Sequence, residues 1–173
     1  NQNLAISGSK DKTKYYFSAN LHQIDGILLN SGYNQRNFRL GVDQSLLNEK
    51  LNVSVDLYSN VRDSDLSFKE AFGYAITQMP TSAISGSDVN IGGAAFFAPY
   101  NGYFHPVGLF NSYNPYAMVT LNSNISEAND LLFVGDVSYQ LNENLILDAV
   151  YSNQSLDVDN FEFYSIYDAY RGR

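Results

Sequence analysis

Carboxylates two residues apart, Asp63/Asp65 and Asp157/Asp159, are the side chains of this sequence whose type and spacing come nearest to a reactive pair. Paired acids bind calcium or split glycosidic bonds. A calcium loop, however, strings several oxygen ligands around a fixed Gly, and glycosidase acids face each other across a rigid cleft. Neither context surrounds these pairs, so both read as solvated loop acids. The two histidines, His22 and His105, have no cysteine to join them as metal ligands. Ser, His and Asp all occur, but no G-x-S-x-G elbow presents a nucleophile. Gly86 and Gly92-Gly93 lack the strand-to-helix setting and following Lys of a phosphate loop. No catalytic residue, metal or cofactor is expected.

Rings form the constellation with functional weight. Phe96, Phe97, Tyr100, Tyr103, Phe104, His105, Phe110 and Tyr113 crowd the stretch from Thr81 to Tyr113, which is otherwise rich in Gly, Ser and Asn. Such rings can stack on sugars or hold peptide side chains, while Asn101, His105, Asn111 and Asn114 can hydrogen-bond a polar ligand. They can equally serve to pack a loop that must bury something to stay ordered. With 18 acidic against 10 basic residues the net charge is −8, which argues against nucleic acid as a partner, because phosphate binding rests on Lys and Arg.

The elements that must position these residues are strands. The two turns Leu47-Asn48-Glu49-Lys50-Leu51 and Leu141-Asn142-Glu143-Asn144-Leu145 are near copies, and each leads into an alternating segment. After the first, Leu51, Val53, Val55, Leu57 and Val61 share one face, and Asn52, Ser54, Asp56, Tyr58 and Asn60 share the other. The segment KYYFSANLHQ alternates likewise, with Tyr15, Phe17, Ala19 and Leu21 opposite Lys14, Tyr16, Ser18, Asn20 and His22. Further strands are expected at Leu4 to Ser9, Asn37 to Gln44, from Leu131, and over Leu145 to Ser152. Between them, Leu66 to Met79 reads as a short helix, with Ser67 and Glu70 as a capping box and Pro80 ending it.

No apolar run is long enough for a transmembrane helix, but strands of about ten residues suffice to cross a bilayer when tilted. Short connections at 10–12, 48–50 and 142–144 alternate in order with long ones at 25–34, 62–130 and after Gln154. An outer-membrane barrel does the same, with tight turns on its periplasmic rim and long loops outside. Tyr15, Phe17, Leu21, Phe38, Leu40, Val53, Val55 and Leu57 would then face lipid. Tyr16, Asn20, His22, Arg39, Asp43, Asp56, Tyr58 and Asp136 would line a polar lumen.

Particular stretches of the text resemble a known family. Asn3-Leu4-Ala5-Ile6-Ser7-Gly8, Lys12-Thr13-Lys14-Tyr15-Tyr16-Phe17-Ser18, Gly26-Ile27, Asn30-Ser31-Gly32-Tyr33 and Arg39-Leu40 resemble the barrel of SusC/RagA-type TonB-dependent outer-membrane transporters. Ala75 to Ile84 looks like that family's "A…MPP…P" stretch, and Asn114-Pro115-Tyr116-Ala117 like its "NPVA" element. The resemblance implies import of oligosaccharides or peptides with no covalent chemistry. It also implies a SusD-like surface lipoprotein as partner and contact with TonB through a plug that this chain does not contain. Such barrels have about 22 strands, whereas about seven or eight are legible here, so residues 1–173 are expected to be an internal piece of a larger transmembrane barrel, all-β, with one short loop helix. Two other readings remain open: a self-contained eight-stranded outer-membrane barrel with a structural or adhesive role, and a soluble β-sandwich binding module.

Overall fold

The structure is a computed structural model that describes residues 1–86, 90–91, 94–95, 100–105 and 113–171. Its strands are β1 (Gln2–Lys10), β2 (Thr13–Asp25), β3 (Gly32–Leu46), β4 (Leu51–Asp65), β5 (Asn90–Ile91), β6 (Ala94–Ala95), β7 (Ser123–Asn142) and β8 (Leu145–Phe163). The two helices are α1 (Glu70–Thr77) and α2 (Pro115–Leu121). Six strands form one antiparallel sheet in the order β1-β2-β3-β4-β7-β8, and β5 and β6 pair separately. The chain is thus all-β with short helices, consistent with part of a barrel wall.

Alternation in the sequence becomes two chemically distinct faces. Leu4 pairs with Ala19 and Ile6 with Phe17 on one face, while Asn3 pairs with Asn20 and Ser7 with Tyr16 on the other. On the apolar face Phe133 and Tyr151 bring their rings within 6.2 Å, and on the polar face Arg39 meets Asp56 at 3.2 Å. The short turns gather at one end of the strands. There the Ser45 N–H donates to the Lys12 carbonyl at 2.9 Å, the Gln140 N–H donates to the Lys50 carbonyl at 2.8 Å, and Lys12 pairs with Glu49 at 3.5 Å. Leu47, Asn48 and Glu49 take φ of 51°, 57° and 72° in succession. That left-handed conformation suits Asn but strains Leu and Glu, so the flanking ladder must hold it.

Chain contacts divide the molecule into a sheet unit (1–24, 33–63 and 127–159) and a loop unit (25–32, 64–126 and 160–173). The loop unit has a core. Ala71 of α1 packs with Met118 and Val119 of α2, and Tyr74, Tyr113 and Tyr170 close around them. Phe68 and Ala117 are buried as well.

Element ends depart from the expectations in instructive ways. β4 extends to Asp65, β7 begins at Ser123 rather than Leu131, and β8 continues to Phe163 rather than Ser152. Asp63/Asp65 and Asp157/Asp159 therefore lie in strands, not loops, and the long connection narrows to 66–122. In the β7 extension neither face is consistently apolar, and in the β8 extension Leu156 and Val158 alternate with Asp157 and Asp159 in the phase opposite to Leu145 and Leu147. The helix expected over Leu66 to Met79 is confined to α1, and its capping box does not form. Lys69 is the N-cap without a side-chain bond. Ser67 instead takes φ of 53° and donates its hydroxyl to the Leu29 carbonyl at 2.9 Å. The helix also stops at Thr77, before Pro80, with Gln78 already extended.

Candidate functional site

Two groups of residues are candidates for contact with ligand or partner: the rings of the loop unit and the polar face of the sheet unit. In the loop unit α2 is the anchor. Its N-cap Asn114 is fully buried and uses its whole amide, accepting from the Tyr116 and Ala117 N–H groups at 3.0 and 3.3 Å and donating to the Ile84 and Phe104 carbonyls at 2.9 Å each. One side chain thereby caps the helix and ties two loop segments to it. At the other end of α2, Asn122 donates to the Met118 carbonyl at 2.9 Å and to buried Asp168, and accepts from the Ser165 N–H at 2.9 Å. The tail is fixed to the helix by this amide.

The rings that are described sit in two places. His105 is buried, with Tyr100 at 4.7 Å and Tyr113 at 5.7 Å between centroids. Tyr113 in turn meets Tyr74 at 5.3 Å and Tyr170 at 5.1 Å, both edge to face. Tyr103 stands apart from this chain of rings, beside Tyr116 at 6.0 Å, and its hydroxyl accepts from the Thr120 hydroxyl at 3.0 Å. Phe104 is half-buried and contributes backbone bonds to Ile84 and Asn114. Phe96, Phe97 and Phe110 lie outside the described residues. Burial, then the neighbouring Tyr170 and Tyr113 phenols and Glu70, hold the Tyr74 hydroxyl above its ordinary pKa. Tyr74 and Tyr170 were not singled out from the sequence. Helical spacing from Tyr74 to Ala71 was the available signal for the first.

Among the described residues, two clefts open on this unit. Ala75, Gln78, Met79, Ile84 and Tyr116 line one of about 200 Å³. The exposed side chains Phe72, Ile76 and Met79 continue its apolar character along α1. The other, about 360 Å³, is lined by Lys69, Glu70, Asn124, Glu162, Tyr164 and Arg171 among others. Arg171 lies over the Tyr164 and Tyr170 rings at 5.2 and 5.4 Å, and its guanidinium donates to the Tyr164 hydroxyl at 3.2 Å. The ring hydroxyls of Tyr164 and Tyr170 hold that guanidinium protonated beyond its usual range.

On the polar face of the sheet, Tyr16, Arg39 and Asp56 come together: Arg39 pairs with Asp56 and lies 5.7 Å from the Tyr16 ring. Gly41 leaves room for them, since a Cβ there would approach Asp56 Oδ1 to 3.0 Å. Asn20 accepts from Asn3, and the Tyr58 hydroxyl donates to Asn37 at 3.4 Å. Asp43 and Asp136 share a depression of about 290 Å³ with Lys12, Lys14 and Asn52. His22 borders a different cleft, near Gln35 and Arg36. The expected lumen residues thus form one triad, two neighbouring acids and separate pairs, not one site. Among the described residues no group of three or more His, Asp or Glu is placed to hold a metal, and no helix is long and apolar enough to cross a membrane.

No protein-family model matches the chain. Curated relatives do. TonB-dependent receptor P26 of Formosa agariphila is 29% identical over 160 residues, covering 92% of this chain. TonB-dependent receptor P3 of the same organism is 32% identical over 127 residues, covering 69%. The chain spans only 15% and 12% of the lengths of these two relatives. Over most of its length, therefore, the chain is similar to a short stretch of much longer TonB-dependent receptors.

Proposed function

We propose that this chain is one arc of the barrel of a SusC/RagA-type TonB-dependent importer in a Gram-negative outer membrane. The observation that carries the reading is an apolar sheet face left in the open. Leu4, Ile6, Leu40 and Leu131 are 56%, 53%, 46% and 48% exposed, although they share the apolar phase of paired strands. A patch of that extent does not persist on a soluble monomer, and lipid is the medium that suits it. The sheet has two outer strands, β1 and β8. Their free backbone groups cannot stay unpaired in hydrocarbon. Further strands from the same polypeptide would complete the wall, and the similarity to TonB-dependent receptors supports that source.

In this reading no bond is made or broken. Oligosaccharide or peptide is captured on the extracellular side and passes through the lumen when TonB acts on the plug. Tyr16, Arg39 and Asp56 belong to the lumen wall, where fixed charges and a ring meet hydrated cargo. The loop unit belongs to the extracellular side, and the exposed stripe Phe72, Ile76 and Met79 is its contact for a SusD-like lipoprotein. Tyr100 and Tyr103, with Phe96, Phe97 and Phe110, are the candidates for cargo or lid contact, whereas His105 is buried beneath Tyr100 and Tyr113. The test replaces Phe72 and Ile76 by Ser in the full-length transporter and measures lipoprotein co-purification, uptake and outer-membrane abundance together. Lost co-purification at normal abundance is expected. Unchanged co-purification removes α1 from the interface, and solubility of the intact protein without detergent overturns the whole reading.

A further inference from the structure

At the end of the strands away from the short turns, the apolar face of the sheet changes character within one row. Arg36 belongs to the same alternation phase as Phe38, Leu40 and Val42, and Asp63 to the same phase as Val53, Val55 and Leu57. Their side chains pair at 2.6 Å. Gln2 stands opposite Leu21 in the β1–β2 register, so it shares this face too. Together with Gln23 and Asn34 they line an open cleft of about 390 Å³, with Leu21 in its wall and His22 and Gln35, of the opposite phase, at its margin. Directly along the same phase lie Leu4, Ile6, Phe38 and Leu40, all exposed. A polar cleft thus opens straight onto an apolar surface on the outside of the sheet.

We propose that this cleft holds the sugar headgroup of an acylated glycolipid whose chains lie along the apolar face. The proposal rests on the barrel reading above, in which this end of the strands meets the outer leaflet. The chemistry favours a hydroxyl-rich head over a phosphate. A guanidinium alone would suit phosphate, but here Asp63 is paired with it and would repel an anion. A carboxylate, a guanidinium and side-chain amides together offer both acceptors and donors, which is what vicinal hydroxyls require. The adjacent apolar face distinguishes an amphiphile from a free sugar, since each acyl methylene buried against it adds to binding. Six of the cleft's lining residues, Gln2, Leu21, Gln23, Asn34, Arg36 and Asp63, share the outward phase, whereas His22 and Gln35 at its margin belong to the polar face.

The full-length transporter is reconstituted into phosphatidylcholine discs doped in parallel with diglucosyl diacylglycerol or with phosphatidylglycerol, and lipid retained after repurification is quantified by mass spectrometry. Diglucosyl diacylglycerol is expected to be enriched over the bulk lipid, and the double variant R36A/D63A to lose that enrichment roughly tenfold. Q23A, which leaves the ion pair in place, should lose a smaller share and guards against a misfolded double variant. Maltose in the buffer should not compete. Equal enrichment in wild type and both variants, a preference for phosphatidylglycerol, or full competition by maltose would each overturn the proposal. Failure of the barrel reading shows separately, as a protein that stays dispersed when detergent is withdrawn.

Discussion

The loop unit and the sheet unit answer the problem of burial in opposite ways. In the loop unit Met118 and Asn114 are 0% and 1% exposed, and the polar groups that are buried there, such as Asn114, Asn122 and Asp168, are bonded to one another or to backbone. That is how a water-soluble domain is built. In the sheet unit the apolar residues stay open: Leu145 and Leu147 on β8 are 52% and 60% exposed, and the strand ladder and cross-strand pairs hold the element. In the proposed barrel reading, the difference is that of one polypeptide made for two solvents. Its loop unit carries its own interior, while its sheet needs a medium that replaces one.

Changes that strike the loop interior should have the largest effect and leave the sheet alone. Met118→Ala removes the most deeply buried side chain of the α1–α2 core and is expected to cost about 2–5 kcal/mol, read as protease cleavage within 66–122 while barrel heat-modifiability is unchanged. Val55→Arg probes the opposite medium. On a lipid-facing strand near the midplane it should cost about 2–4 kcal/mol, measured as loss of folded protein in a refolding titration with lipid. The same substitution on a water-facing strand would cost little, so a null result would erase the contrast between the units.

Smaller changes sharpen it. Asn114→Ala removes the cap and the side-chain bonds to the Ile84 and Phe104 carbonyls, with an expected loss of about 1–3 kcal/mol confined to the loop unit. Hydrogen exchange at Tyr116 and Ala117 reports it directly. The least effect comes with pH. Because the Tyr74 pKa is raised above its unfolded value of about 10, its contribution to loop stability is complete below that pH and is lost as pH rises through the folded value. Alkaline unfolding of the loop should therefore be blunted in Tyr74→Phe, which keeps the ring contacts with Tyr113 and Tyr170 and removes the titrating hydroxyl.

Where the two faces of a strand differ in polarity, the sequence was legible; where they do not, it was not. Tyr15/Tyr16 and Val55/Asp56 declare their faces through alternation, and the structure keeps those phases. Asn124, Glu127 and Asp130 at the start of β7 carry no such contrast, and near the end of β8 Leu156 and Val158 against Asp157 and Asp159 reverse the phase of Leu145 and Leu147, so these strand extensions are not legible as continuations. The helix α2 has a readable start in Asn114-Pro115, with an N-cap followed by Pro at the first helical position, but its seven residues are too few to show a period. The capping box at Ser67 and Glu70 was a false signal, since Ser67 is drawn to the Leu29 carbonyl by a contact across 38 positions. The pairing of Asn122 with Asp168 spans 46 positions and leaves no local trace at all.

The central claim is that the apolar phase of the sheet faces lipid and the polar phase faces water. Because the chain has no cysteine, single cysteines at Val53, Ser54, Val55, Asp56 and Leu57 in the full-length protein, on a background freed of any others, can each carry a probe whose fluorescence is quenched by brominated acyl chains. The account predicts quenching at Val53, Val55 and Leu57, and reaction with a membrane-impermeant aqueous reagent at Ser54 and Asp56. Uniform aqueous reactivity across all five positions, or quenching in the opposite phase, would contradict it.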